Sequence, residues 1–241
     1  MVDASEGLAD VLDAFAAINE AVARLYKSPP DQGVVSFFRD FADEDDLFCR
    51  DEQCLEGIRL MSGFCREGEP EQDVQVATAD QNHLFVGPDH LPSPPWSSVY
   101  LDRGLLFGPT TFEVEREFRR HGFWIPEGDH EPCDHISYEL QFIAEMDKKA
   151  AEELRQGDLE TAMSSLEEGT HFVRTYLLPW ADKFSERVQQ HAATGLYQGL
   201  AILTTGLIGL QAGPLNIAIQ DEGLTKGQED DAGSVMEDEH G

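Results

Sequence analysis

Positive charge is what this sequence has least of. Seventeen lysines and arginines stand against 47 aspartates and glutamates in 241 residues, a formal net charge of −30. A surface this acidic repels phosphates, which argues against DNA, RNA and anionic membranes as partners. Cysteine is scarce as well: Cys49, Cys54, Cys65 and Cys133. Their irregular spacing gives neither a disulfide framework nor the paired short half-sites of a zinc or iron–sulfur centre, and free thiols in a reducing compartment are the simple account. No basic-then-apolar segment opens the chain, so no secretion signal is expected. Runs of strict apolar–polar alternation and repeats of fixed period are also missing, which disfavours sheet and solenoid architectures. The acidity itself has two readings. It keeps the protein soluble, as in a salt-rich cytoplasm where charges are screened within about 3 Å at molar salt, or it draws in a basic partner.

What remains is helical periodicity. Leu8, Val11, Leu12, Phe15, Ile18, Val22 and Leu25 form one apolar stripe ended by Ser28-Pro29-Pro30. Val34, Val35, Phe37, Phe38 and Phe41 follow as a short aromatic-rich helix or turn. Asp43 is the expected N-cap of a helix whose stripe carries Leu47, Cys54, Ile58, Met61 and Cys65, so Cys54 and Cys65 read as small core residues. Pro70 opens a further helix with Val74, Ala77, Gln81, Leu84 and Phe85 inside, ended by Gly87-Pro88. The run Pro92-Ser93-Pro94-Pro95-Trp96 is an extended crossing, either a linker between helical halves or a rigid loop presenting Trp96 and Tyr100. Thr110 or Thr111 is the expected cap of the helix holding Val114 and Phe118. Later helices end at Gly157, begin at Asp158, break near Gly169 and restart at Pro179.

From Ala192 to Gln220 no residue is charged. A membrane span needs about 20 mostly apolar residues with basic flanks. Glycines, Gln198, Gln211 and Pro214 interrupt this stretch, and Leu196, Leu200, Leu203, Leu207 and Leu210 make a single stripe, so a helix buried in the core is expected and stable membrane insertion is not. The expectation is an all-α, single globular bundle of about nine or ten helices with a Pro-rich crossing loop. A helical domain over 1–220 is followed by an acidic, disordered tail over 221–241.

One stretch carries reactive side chains at close spacing: Glu131-Pro132-Cys133-Asp134-His135-Ile136, with Glu139 and Leu140 beyond. It reads as the first turn of a helix, with Pro132 at the first position, acids at the positive end of the dipole, and Ile136, Leu140, Ile143 and Met146 on the buried face. The charged start and the His135 imidazole then form an exposed mouth. A metal- or thiol-dependent enzyme centred on Cys133 and His135, helped by His130 and Asp129, is one reading. Neighbouring helical positions point about 100° apart, however, and no second ligand half-site is present, so binding is favoured over catalysis. Beside Phe85, Trp96 and Tyr100, the mouth suits a peptide with one basic end and one apolar body.

Three segments in this order resemble the TorD/DmsD/NarJ family, with the DmsD branch the best fit: Leu84-Phe85-Val86-Gly87-Pro88, then Pro94-Pro95-Trp96-Ser97-Ser98-Val99-Tyr100-Leu101-Asp102, then Glu131-Pro132-x-Asp134-His135-Ile136. Pro179-Trp180 and the uncharged last helix fit the same pattern. The resemblance implies an all-helical cytoplasmic chaperone, without cofactor or catalytic activity. It would bind the twin-arginine signal peptide and the apo form of a molybdopterin oxidoreductase catalytic subunit, such as a DMSO reductase, and delay export until cofactor insertion. Tat translocase components are further implied partners. Peptide-binding positions would fall on Leu84, Phe85, Asp134 and His135, with Trp96, Ser97 and Tyr100 in the adjoining motif. Cys133 stands where an acid is common in the family, and Gln81 where some relatives place an aromatic.

Overall fold

Helix follows helix through the computed structural model, which describes residues 4–40, 51–87 and 90–213. In chain order these are α1 (Ala4–Lys27), α2 (Gln32–Asp40), α3 (Glu52–Glu67), α4 (Pro70–Phe85), α5 (Ser97–Leu101), α6 (Pro109–Arg120), α7 (Ile136–Arg155), α8 (Leu159–Phe172), α9 (Leu178–His191) and α10 (Gly195–Ala212), with a π-helical turn over Val173–Leu177. Among the described residues no β-strand forms, so the expected all-α class holds. The cap expected at Asp43 lies outside the described residues, as do Leu47, Cys49 and the acidic tail; within them, Asp51 caps α3 by accepting from the Cys54 N–H at 3.0 Å.

Two long pairings organise the bundle: α1 lies along α7, and α3 along α10. The second pairing is unusually close. A Cβ placed on Gly57 would sit 2.6 Å from the Gly199 carbonyl oxygen, and one on Gly206 would sit 2.7 Å from Cys54 Sγ. Glycine is needed at this seam because the two backbones touch. The uncharged α10 is thus an interior helix: Leu196, Leu200, Leu203 and Leu207 are all buried. No helix among the described residues is long and apolar enough to cross a membrane. Asp80, buried on α4, anchors the start of α10 by accepting from the N–H groups of Ala193 (3.0 Å) and Thr194 (2.8 Å).

Two local expectations change. α6 begins at Pro109, and neither threonine caps it; instead Asp102 accepts from the Thr110 N–H at 2.9 Å and from its hydroxyl at 3.0 Å. A carboxylate from outside the helix does the work of a local cap. No break occurs at Gly169, which packs against Met146 on α7 within the continuous helix. The chain runs on through the π turn into α9, with Pro179 in its first turn as expected. Gly157, at φ +81°, ends α7, and Asp158 caps α8 through the Thr161 N–H at 3.1 Å, both as read from the sequence.

One buried polar cluster joins α7, α10 and α1. Asp147 on α7 accepts from Gln211 Nε2 at 2.9 Å, and Gln211 accepts from Asn19 on α1 at 3.1 Å. Burial outweighs these hydrogen bonds and raises the carboxyl from 3.8 to about 8. In the unfolded chain it ionises near 3.8, so between the two values the folded state holds a proton that the unfolded state has released. Its stability contribution is therefore present at low pH and lost as pH rises to about 8. Asp147→Asn removes this titration and keeps a side-chain oxygen to accept from Gln211. The variant is expected to gain about 2 kcal/mol, or about 4–8 °C in Tm, at pH 8. Melting curves at pH 5 and pH 8 check it, with a smaller gain at pH 5.

Candidate functional site

The three sequence motifs meet at the start of α7. The Pro-rich segment runs alongside residues 131–135, and Trp96 and His135 form an isolated antiparallel bridge. The Ile136 N–H donates to the Pro95 carbonyl at 2.8 Å, the Ser97 N–H to the Asp134 carbonyl at 3.0 Å, and the Ser93 N–H to the Leu84 carbonyl at 3.4 Å. Proline explains the geometry. Pro92, Pro94 and Pro95 hold the backbone extended while giving up donors that a continuous ladder would use, so pairing stops after one bridge.

Residues 131–135 are turns rather than helix, which corrects the reading of Pro132 as the first helical position. α7 begins at Ile136, and His135 is its N-cap: Nδ1 accepts from the Ser137 N–H at 3.1 Å and lies 2.8 Å from its hydroxyl. This explains a histidine at a helix start. An imidazolium there would oppose the dipole, but a neutral ring with its proton on Nε2 is an acceptor. Burial, reinforced by the charge of Lys27, lowers the His135 pKa to about 3. The exposed mouth is also corrected, because Asp134 is 0% and His135 4% exposed. The walls that exclude water are the Trp96 ring, edge-on to His135 at 6.0 Å, and Tyr138 at 5.9 Å.

Asp134 is the hinge-pin of the junction. Its Oδ2 accepts from the Ser98 N–H at 2.8 Å and from the Ser97 hydroxyl at 3.4 Å, fixing the first turn of α5. Its Oδ1 has no partner, nor does either oxygen of the buried Glu139, the Ser98 hydroxyl or Trp180 Nε1. Burial and the nearby Asp134 carboxyl push Glu139 well above the usual carboxylate range, although Ser97 and Trp180 lie beside it. Outside this interior, Asp129 is held down to about 2: burial opposes the charge, but hydrogen bonds with Tyr138, Lys27 and the Glu131 N–H outweigh it. Lys27 reaches Asp129 at 3.0 Å and the Tyr138 hydroxyl at 2.7 Å, tying α1 to the site, a link no sequence pattern signalled.

The other expected site residues divide by depth. Leu84, Phe85 and Ser97 are buried; Phe85 packs among Tyr26, Phe184 and Tyr197 at ring distances of 5.6, 6.2 and 5.7 Å. Trp96 and Tyr100 are partly exposed. The Trp96 indole N–H donates to Glu131 at 3.2 Å, and Arg187 covers the Tyr100 ring at 5.8 Å. The thiol-enzyme alternative fails on its own chemistry. The Cys133 thiol donates to the Thr111 carbonyl at 3.0 Å, and burial together with the Asp134, Glu115 and Glu139 carboxylates pushes it up to about 12. At neutral pH it is no nucleophile, and His135, committed to its cap, is no base.

This arrangement coincides with a family match. A family model described as the nitrate reductase delta subunit matches residues 51–186, which include all three motifs. The chain belongs to that family. Chaperone protein TorD from Vibrio cholerae is 29% identical over 189 residues, covering 78% of this chain and 81% of that one. Tat proofreading chaperone DmsD from Salmonella typhimurium is 34% identical over 121 residues, covering 50% and 52%. Chaperone protein TorD from Vibrio parahaemolyticus is 28% identical over 137 residues, covering 56% and 62%. The resemblance read from the three motifs is thereby borne out. As a member of this family the chain is a redox-enzyme maturation chaperone, not an enzyme.

Proposed function

We propose that this family member binds the twin-arginine signal peptide of a molybdopterin oxidoreductase catalytic subunit in the cytoplasm, and holds the apo enzyme back from the Tat translocase until cofactor insertion. The observation that carries this reading is the convergence of three distant motifs on one junction, which places Trp96 and Glu131 side by side at the surface over a buried Asp134–His135 support. A paired indole and carboxylate suit the chemistry of an arginine-bearing peptide: the guanidinium takes a charge-assisted hydrogen bond and stacks on the ring. In this reading Leu84, Phe85, Ser97, Asp134 and His135 position the surface, and Trp96, with the edge of Tyr100, meets the ligand.

Calorimetric titration of the full chain with a synthetic peptide, two adjacent arginines followed by an apolar stretch, tests this. The wild type is expected to bind one equivalent, Trp96→Ala to bind about tenfold more weakly, a loss of about 1.4 kcal/mol, and a twin-lysine peptide to bind more weakly because lysine lacks the bidentate fork. Equal affinity for the arginine and lysine peptides would sink the proposal. In cells, the tagged chain is expected to co-purify with the cofactor-free client in preference to the loaded one.

A further inference from the structure

Next to the junction lies a feature that extends beyond the three motifs and shares Glu131 and Pro132 with the third. An open groove of about 450 Å³ runs between the start of α6 and the loop over residues 125–133. Its apolar side is formed by Phe107, Phe112 and Ile125. Phe107 and Phe112 are 56% and 62% exposed, and Leu105 and Leu106 beside them are also exposed. Four large apolar side chains standing in water within eight residues is more than scattered surface hydrophobicity, and such patches mark contact surfaces. Phe107 is held there at φ +59°, and Arg103 before it at +58°, in the left-handed region that residues with side chains avoid.

The opposite side is acidic: Glu115, Glu127, Asp129 and Glu131 line the groove, and no lysine or arginine does. Two of the four are already paired, Glu115 with Arg119 and Asp129 with Lys27. Glu127 and Glu131 meet no cation at ion-pair distance among the described residues. Thr111, which also lines the groove and is 4% exposed, leaves its hydroxyl without a hydrogen-bond partner. The groove therefore offers two carboxylates with no cation beside them and an aromatic wall, over a buried hydroxyl that has no partner.

We infer that this groove is the docking surface for the peptide itself: two adjacent guanidinium groups on Glu127 and Glu131, and the apolar residues that follow them on Phe107, Phe112 and Ile125. The inference rests on the peptide-binding reading above and assigns its contact surface. Charge complementarity selects the occupant. An acidic partner is repelled, a purely apolar segment leaves Glu127 and Glu131 facing uncompensated desolvation, and a basic-then-apolar peptide satisfies both walls. Glu131 belongs to both the groove and the Trp96 contact, so the groove continues the junction and does not compete with it.

Fluorescence anisotropy with the full chain and a labelled peptide, two adjacent arginines followed by an apolar stretch, tests the assignment. Glu127→Gln, which leaves the Trp96–Glu131 pair of the functional reading in place, is expected to weaken binding about tenfold and to flatten its salt dependence. Phe112→Ser is expected to weaken binding several-fold with the salt dependence intact. Glu167→Gln, a carboxylate removed from the separate cavity between α6 and α8, is expected to bind as the wild type does. All the groove positions changed are exposed, so melting temperatures should match and a loss of binding is not a loss of fold. Wild-type binding with unaltered affinity in both groove variants would overturn the groove and leave the functional reading standing. A wild type that does not bind the peptide would overturn that reading, and the groove with it.

Discussion

Gly199→Ala should be among the most damaging single-methyl additions to this chain. The new Cβ would press into the Gly57 carbonyl oxygen and lie 2.7 Å from Met61 Cγ and 3.0 Å from the Met61 nitrogen. Met61 is fully buried, and the other contacts are backbone atoms of α3, so nothing at the seam yields without moving a helix. Overpacking of this kind costs about 3 kcal/mol, equivalent to a fall of about 6–12 °C in Tm. Chemical denaturation of the variant against the wild type measures it. Gly63→Ala is the matched control: it lies in the same α3, a Cβ there would meet nothing within 4 Å, and alanine is the better helix former. A loss of comparable size at Gly63 would mean that the penalty is not one of close approach.

Asp134→Ala is the second. The substitution leaves the buried Ser98 N–H and the Ser97 hydroxyl without their acceptor, and the first turn of α5 without its anchor. A hydrogen bond to a charged group contributes about 1.5–3 kcal/mol, and stranding its buried donor makes the loss asymmetric; an overall cost of about 3 kcal/mol is expected. Asp134→Asn should behave differently. Its carbonyl oxygen can take the place of Oδ2, and its amide can donate toward the unpartnered Glu139 carboxyl. Denaturation midpoints of the two variants separate the roles. If asparagine costs as much as alanine, the negative charge itself holds the junction; if it is close to wild type, the geometry of acceptance does.

The sequence made the helices legible wherever an apolar stripe and a local terminator agreed. α1 with its Pro29-Pro30 stop, α4 with Pro70 in front, and the Gly157–Asp158 boundary were read from residues within one turn of where they act. Misreadings came where the decisive partner is remote in sequence. Thr110 looked like a cap because nothing local reveals that Asp102 turns back to cap α6. The stretch from Glu131 to His135 looked helical because an acid-rich, proline-led start is a common helix opening; the backbone of Pro95 and Trp96 captures it instead. Burial of Asp134 and His135 was unreadable for the same reason, since local polarity predicts exposure and the Pro-rich segment that covers them lies elsewhere in the chain. Family resemblance named these positions without their depth. The groove beside α6 left a weaker trace, a run of apolar residues in Leu105-Leu106-Phe107 with no helical stripe to join.

The pairing of α1 with α7 and of α3 with α10 also sets an order of events on the ribosome. α1 emerges first and waits for a partner that appears only after α6 is made. α3 waits longer still, because the helix that fits its glycine face comes last among the described elements. Contacts this distant in sequence slow the closing of a fold. Until Gly199 reaches Gly57, the nascent chain presents an uncovered apolar face to its surroundings. The seam that holds α3 is thus among the last parts of the bundle to close.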